Sequence, residues 1–200
     1  MSQRAKQILG ISFLVTGVIL LGLIFLPPYS KRLNFELGRR GLNPWGLAPL
    51  PAPPVQPVSK EFALVIPKIG VNAPVATVPN QGGGRYFPAL GKGEKLGHLE
   101  NTALPGQGGN VVIFGHSSGL PGITGPYKDV FALLDKLEEG DEVVVWYQAV
   151  PYRYRVKESK VVGENAFEIL SQEKNQLTLL TCWPPGTDIK RLIVIAEPAK

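Results

Sequence analysis

A single cysteine, Cys182, ends the apolar run Leu177-Thr178-Leu179-Leu180-Thr181, and Trp183-Pro184-Pro185-Gly186 follows at once. A thiol without a second cysteine forms no internal disulfide, and a strand-like run that stops at a Pro/Gly turn presents its last side chains at a pocket rim. As thiolate, sulfur is a nucleophile, and an imidazole can activate it and later hand the proton to a leaving group. Of the two histidines, His116 ends the strand-like run Val111-Val112-Ile113-Phe114-Gly115 and opens the loop Ser117 to Gly122, where acid/base work needs it. Lys190-Arg191 opens the last strand-like run. Acyl transfer generates an oxyanion, to which a permanently charged guanidinium donates two hydrogen bonds, so Arg191 is a better candidate than Lys190. Alternation groups Arg191 with Ile193 and Ile195, and Lys190 with Leu192 and Val194, so periodicity does not choose between them. The plainer alternatives are a buried cysteine acting as a small apolar filler and a satisfied structural histidine. For His98 a surface or loop position is the default, a supporting role beside the site the alternative.

Gly115-His116-Ser117-Ser118-Gly119 matches G-x-S-x-G, which would make Ser117 the nucleophile of an α/β-hydrolase. That fold needs a helix directly after the serine and a histidine later in the chain. Pro121, Gly122, Gly125 and Pro126 follow instead, and no histidine lies beyond Ser117. Gly91-Lys92-Gly93-Glu94-Lys95-Leu96-Gly97 misses the dinucleotide spacing, and Pro105-Gly106-Gln107-Gly108-Gly109 lacks the Lys-Ser/Thr of a phosphate loop. Without HExxH, two histidines and one cysteine give little basis for zinc. The acidic stretch Glu138-Glu139-Gly140-Asp141-Glu142 reads as a solvated turn, since the alternating acids of a calcium loop are missing. The chemistry is read as metal-free, with no cofactor.

The elements that must position these residues are short apolar runs between Gly and Pro: residues 62–66, 73–78, 111–114, 143–147, 152–156, 177–181 and 192–195. Their β-branched and aromatic content indicates a mainly β sandwich or barrel. Helical signal is confined to Val130–Leu137 and Ala166–Leu170. From Lys60 onward the length suits one domain of the common size, about 100–150 residues.

Ile8 to Leu26 is uncharged, and at about 1.5 Å per residue it nearly spans a hydrocarbon core of about 30 Å, which predicts a transmembrane helix. A cleaved signal would need a shorter apolar core and a small-x-small site, which Leu26-Pro27-Pro28-Tyr29 lacks. Arg4 and Lys6 favour a cytoplasmic N-terminus, an asymmetry weakened by Lys31, Arg32, Arg39 and Arg40. Six of the 21 Lys/Arg and one of the 16 Asp/Glu fall in residues 1–40, leaving fifteen of each beyond. The basic excess therefore sits beside the membrane, where anionic lipid or polymer attracts it, and the neutral main domain gives no support for nucleic-acid binding. Pro44 to Pro57 favours an extended, semi-rigid spacer or a disordered stalk. The expected layout is a cytoplasmic N-terminus (1–7), a transmembrane helix (8–26), a Pro-rich linker (27–59) and an extracellular domain (60–200).

Leu177 to Cys182, with Arg191 nine positions on, resembles the TLxTC…R signature of the sortases, and Asn110 to His116 is similar to the stretch that carries their histidine. The similarity takes in Ile66-Pro67-Lys68-Ile69-Gly70-Val71-Asn72-Ala73-Pro74-Val75 and Asn101-Thr102-Ala103-Leu104-Pro105-Gly106, and covers nearly all of residues 60–196. The resemblance implies a single closed or partly closed β-barrel with one or two short helices. It implies a membrane-anchored cysteine transpeptidase acting on secreted proteins with an LPxTG-like C-terminal sorting signal. In that reading Cys182 attacks the threonine carbonyl to give a thioacyl enzyme, Arg191 steadies the oxyanion or substrate backbone, and His116 protonates the leaving amine. An amine of a cell-wall precursor or a pilin lysine then resolves the intermediate. Trp183 would wall the groove or lie in the core, and Thr181 would contact substrate or serve as a β-branched strand residue. Ser117-Ser118 stands where many relatives have a basic residue, a departure that bears on subclass and substrate preference. The chain ends at Glu197-Pro198-Ala199-Lys200 without a second apolar span, so a housekeeping or class D-like member is expected rather than a pilin-polymerising one. The alternative from another class is a membrane-tethered binding module whose cysteine is inert.

Overall fold

Seven of the apolar runs become strands because Val, Ile and Leu fill both faces of a curved sheet, and a turn closes each run. The computed structural model describes residues 3–25, 27–41, 56–79, 87–118, 122–163 and 171–199. Two helices come first, α1 (Gln3–Phe25) and α2 (Pro27–Arg39). The strands are β1 (Phe62–Ile66), β2 (Val71–Val78), β3 (Leu96–Leu99), β4 (Asn110–Phe114), β5 (Glu142–Tyr147), β6 (Val150–Gly163), β7 (Gln176–Trp183) and β8 (Lys190–Pro198). They close a barrel in the order β1-β2-β3-β4-β7-β8-β6-β5. The β5–β1 pairing, with Leu64 opposite Val145, makes the closure, and it removes the free edges that would invite aggregation. Pairing is antiparallel except for β2–β3 and β4–β7.

Alternate residues face inward, so Leu64, Val111, Ile113, Leu177, Leu179, Leu192 and Val194 share the interior cluster, which Phe131, Leu133, Leu134 and Leu137 also join. A second cluster covers the outer face of β4, β7 and β8, where Val112, Phe114, Leu180, Ile193 and Ile195 pack with Leu90 and the half-buried Phe87. Burial on both faces explains why these strands read as continuous apolar runs.

β3 escaped the sequence reading, because Leu96-Gly97-His98-Leu99 carries no β-branched residue. Its glycine is needed for packing: a Cβ on Gly97 would lie 2.5 and 2.7 Å from ring atoms of the fully buried Phe114. His98 also departs from the expected surface or loop position. It is buried on β3, with Nε2 3.0 Å from the Ala103 carbonyl and Nδ1 3.3 Å from the Thr77 hydroxyl. A carbonyl only accepts, so Nε2 carries the proton and Nδ1 accepts from Thr77. His98 thus ties β3 to β2 and to the following loop as a neutral ring. The helical signal at Val130–Leu137 narrows to a 3₁₀ turn, Leu134–Lys136, within a run of i→i+3 bonds, and Ala166–Leu170 lies outside the described residues.

Residues 27–39, read as the start of the linker, form α2 instead, with Pro27 and Pro28 in the first turn, where a missing N–H costs nothing. Its basic side chains do not wait for lipid. Lys31 pairs with Asp129 at 2.7 Å, Arg32 grips Asp135, and Arg39 lies 4.0 Å from Glu138, while Glu36 takes Lys136. The acids 138–142 form the expected turn, and there Glu138 and Asp141 also hold Lys68. Most of the proline-rich stretch, residues 42–55, lies outside the described residues, as does Leu26 at the end of the apolar run. Among the described residues no helix is long and apolar enough to cross a membrane. The described side chains Ile11, Phe13, Leu14, Val18 and Ile19 of α1 are nonetheless mostly exposed.

Two outcomes follow from this packing. Gly97→Ala should lower the unfolding free energy by about 1–3 kcal/mol through overpacking against Phe114, read as a reduced urea midpoint; an unchanged midpoint would show that the ring has room. Burial holds the His98 and His116 pKa values below the ordinary imidazole value, so between pH 7 and 5.5 the unfolded chain binds protons that the folded chain refuses. Stability is then full above about pH 6.5 and falls as pH drops through it. The urea midpoint should decline over that interval, and a double His98→Gln/His116→Gln variant should flatten the decline; a midpoint that rises on acidification would contradict this.

Candidate active site

Strand register brings the three chemically capable side chains to one rung. β4 runs parallel to β7, with Phe114 opposite Leu180, and the Gly115 N–H donates to the Leu180 carbonyl at 3.1 Å, so His116 leaves β4 beside Cys182. On the other side β7 and β8 are antiparallel, with Cys182 directly opposite Arg191. Phe114, Leu180 and Ile193 belong to the outer cluster. One alternation further along each strand stand His116, Cys182 and Arg191, on that same face. This decides what periodicity alone left open: Arg191 is 8 % exposed against the cluster, whereas Lys190 faces solvent.

Several bonds hold the rung in place. The Thr181 hydroxyl donates to the Gly115 carbonyl at 2.7 Å, the Phe131 N–H to the His116 carbonyl at 3.0 Å, and the Gly186 N–H to the Ser118 hydroxyl at 2.9 Å. Gly115 must lack a side chain, since a Cβ there would lie 2.4 Å from Leu96 and 3.0 Å from Phe131 and Val130. Nη1 of Arg191 donates to the Asp188 carbonyl at 2.7 Å and the Lys190 carbonyl at 3.0 Å, which fixes the plane of the guanidinium. Its carbon stands 5.3 Å from the Phe87 ring centroid, and that ring lies 6.3 Å from the imidazole of His116. Phe87 was missed in the sequence because nothing local marks an aromatic after a glycine-rich stretch as the neighbour of two distant strands.

Burial acts on both the thiol and the imidazole of the rung. Burial pushes the Cys182 thiol up, Arg191 pulls it down, and Asp188 pushes it up again. Burial lowers His116, partly opposed by a backbone hydrogen bond with Gly91. Among the described residues two buried side-chain polar atoms have no hydrogen-bond partner, His116 Nε2 and Arg191 Nε. Leaving such an atom unsatisfied costs about 1–3 kcal/mol, a cost that water, an ion or a bound reactant offsets. Both flank the only thiol, the Arg191 Nε–H open to an acceptor and the His116 Nε2 lone pair open to a donor.

The remaining candidates separate. Thr181 is fully buried and its hydroxyl is committed to Gly115, which leaves it no face for substrate. Trp183 is half-buried and packs against the edge of the interior cluster, with the Arg32 guanidinium 5.3 Å from its ring centroid. Ser117 is buried, and turns follow it beyond the undescribed residues 119–121, unlike a nucleophile elbow. A cavity of about 300 Å³ beside Tyr152 and Arg153, and one of about 160 Å³ between Lys31, Asp129 and Val71, lie away from the rung. Among the described residues no cluster of three or more His, Cys, Asp or Glu could hold a metal ion.

Comparison with known proteins identifies the family. The profile of the Sortase domain family matches residues 64–199. The chain is 29% identical over 139 residues to Sortase D of Bacillus subtilis, a match covering 67% of this chain and 61% of that protein. It is 30% identical over 142 residues to Sortase A of Streptococcus agalactiae, covering 68% of this chain and 52% of that protein. The chain thus spans little more than half the length of these relatives. The fold superposes on a Clostridium perfringens Sortase D5 transpeptidase with a TM-score of 0.57 and 27% identity, over 74% of this chain and 83% of that one. With the Cys-His-Arg rung on a closed eight-stranded barrel and a family match over most of its length, the chain belongs to the sortase family.

Proposed function

We propose that this protein is a cysteine transpeptidase that cleaves an LPxTG-like sorting signal and transfers the carrier protein to an amine of the cell wall or of a pilin. The observation that carries the reading is the pair of unpartnered nitrogens, His116 Nε2 and Arg191 Nε, on the strands either side of Cys182. An acyl transfer needs a proton carrier and an oxyanion donor at those two places.

The directions of the pKa shifts favour a resting state of neutral thiol and neutral imidazole. As Sγ of Cys182 attacks the threonine carbonyl, its proton passes to His116 and the oxygen becomes an oxyanion, to which Arg191 Nε donates. The C–N bond then breaks. The leaving amine takes the proton from His116 and departs with the C-terminal fragment, leaving a thioester on Cys182. In the second half the acceptor amine attacks the thioester and gives its surplus proton to His116, which returns it to the departing sulfur. The thioester keeps the acyl group reactive toward an amine, provided water is excluded.

Membrane attachment through residues 8–26 belongs to the same proposal. It is supported by the exposed apolar side chains of α1, which would be costly in water and favourable in lipid. Arg4 precedes the run, which favours a cytoplasmic N-terminus and a catalytic domain outside the cell. The likeness to a Sortase D and to a D5 transpeptidase favours a class D-like member.

The test incubates the full chain in detergent micelles with LPxTG-like peptides and an oligoglycine or lysine amine, with products read by mass. A thioacyl adduct on Cys182 and an amide to the added amine are expected. Cys182→Ala should abolish both, His116→Ala should slow turnover about 10²–10⁴-fold, and Arg191→Ala about 10²–10³-fold. Failure to form an adduct with any peptide would favour a tethered barrel with an inert thiol. Because burial dominates the shift at Cys182, alkylation by iodoacetamide should be slow at pH 7 and half-maximal above the ordinary thiol value of about 8.5. Arg191→Ala removes the opposing charge and should move the midpoint further up; full thiolate reactivity below pH 7 would contradict the neutral resting pair.

A further inference from the structure

Helix α2 meets the barrel at a place that its sequence does not advertise. The fork of Arg32 donates to both carboxylate oxygens of Asp135 at 2.5 and 2.6 Å and to the Ala132 carbonyl at 3.0 Å. The same guanidinium lies 5.3 Å from the Trp183 ring centroid. Two of its three attachments are each one residue from a tie to the rung. Trp183 follows Cys182 in β7, and Ala132 follows Phe131, whose N–H holds the His116 carbonyl at 3.0 Å. Tyr29, one helical turn earlier, reaches the Pro185 carbonyl at 3.5 Å, on the loop between Cys182 and Arg191. Arg32 and Asp135 are both mostly buried, at 19 and 18 % side-chain exposure, so solvent screens their pairing less than it screens the outlying pair of Arg39 and Glu138.

We infer that Arg32 is a positioning residue of the active site: it clamps the residue after the nucleophile to the segment that anchors the catalytic histidine, and so fixes the distance between Cys182 and His116. The inference rests on the transpeptidase reading for its kinetic consequence, but not for the contact itself. A planar fork is required, because one side must pair with a carboxylate in bidentate fashion while its face covers an indole. Lysine offers neither. Glu36 is a fair comparison on the same helix, since it pairs with Lys136 and Trp183 is not among its partners.

The experiment uses the full chain in detergent. Arg32→Gln should lower kcat/KM about tenfold or more, chiefly in kcat, as expected when a nucleophile is misplaced by a fraction of an ångström to about 1 Å. Glu36→Gln should stay within about twofold with its thermal midpoint close to wild type, and Arg32→Gln is assayed below its own, lowered midpoint. In a Trp183→Ala background the further effect of Arg32→Gln should vanish, because the clamp has lost its far end. If Arg32→Gln does not fold, Arg32→Lys carries the same reading and should also lose activity. A readout independent of peptide comes from a Trp45→Phe/Trp146→Phe chain, where Arg32→Gln should raise acrylamide quenching of Trp183 at least about twofold. Wild-type chain that turns over no peptide refutes the transpeptidase reading, while the quenching arm still tests the contact. The inference is overturned if Arg32→Gln matches wild type, if it raises activity, if Glu36→Gln falls equally, or if the two effects at Arg32 and Trp183 simply add.

Discussion

The structure depends on the position of β7, which is hydrogen-bonded on both sides, parallel to β4 and antiparallel to β8. A central strand has no freedom of register, because a slip of one residue would exchange its inner and outer faces, turn Thr178 into the interior and move Cys182 off its rung. The residue in line with Cys182 on β8 is therefore fixed as Arg191, and the chain leaving β4 beside it as His116. Core packing and chemistry are set by the same hydrogen bonds. The outer cluster around Phe114 and Leu180 stops one alternation short of the reactive groups, so the site begins where the apolar packing ends.

That geometry places a thiol, an imidazole and a guanidinium in a setting that opposes the charged forms of the first two. Burial raises Cys182 and lowers His116, and Arg191 only partly offsets the effect on sulfur. The two unpartnered nitrogens, His116 Nε2 and Arg191 Nε, lie beside this thiol, and the hydrogen bonds of Thr181, Phe131 and Ser118 hold that arrangement in place. α2 adds a brace from outside the barrel, with its basic face neutralised by the acids at 129, 135 and 138.

Much of this was legible in the chain, for identifiable reasons. Runs such as Val143 to Tyr147 and Leu192 to Ile195 declare strands by β-branched content, and the strand-end thiol and loop-edge histidine are the two side chains that the pairing of β4 with β7 brings beside each other. What escaped depends on contacts far apart in sequence. β3 is a strand through its partners rather than its residues, and its bare Gly97 makes sense only against Phe114. His98 looks like a loop residue until Thr77 and Ala103 are brought to its ring. Lys190 and Arg191 are indistinguishable by alternation until the face carrying Leu180 is known. α2 opens with two prolines and carries many charges, and so passes for linker; its helix is secured by acids about a hundred residues away.

The most direct measurement is a structure of the full chain with a sorting-signal peptide analogue bonded covalently to Cys182. The account predicts the acyl oxygen accepting from Arg191 Nε, and the leaving-group position within reach of His116 Nε2, both at about 2.7–3.1 Å. A covalent complex in which these two nitrogens remain unpartnered, with the acyl oxygen held by other groups, would contradict it.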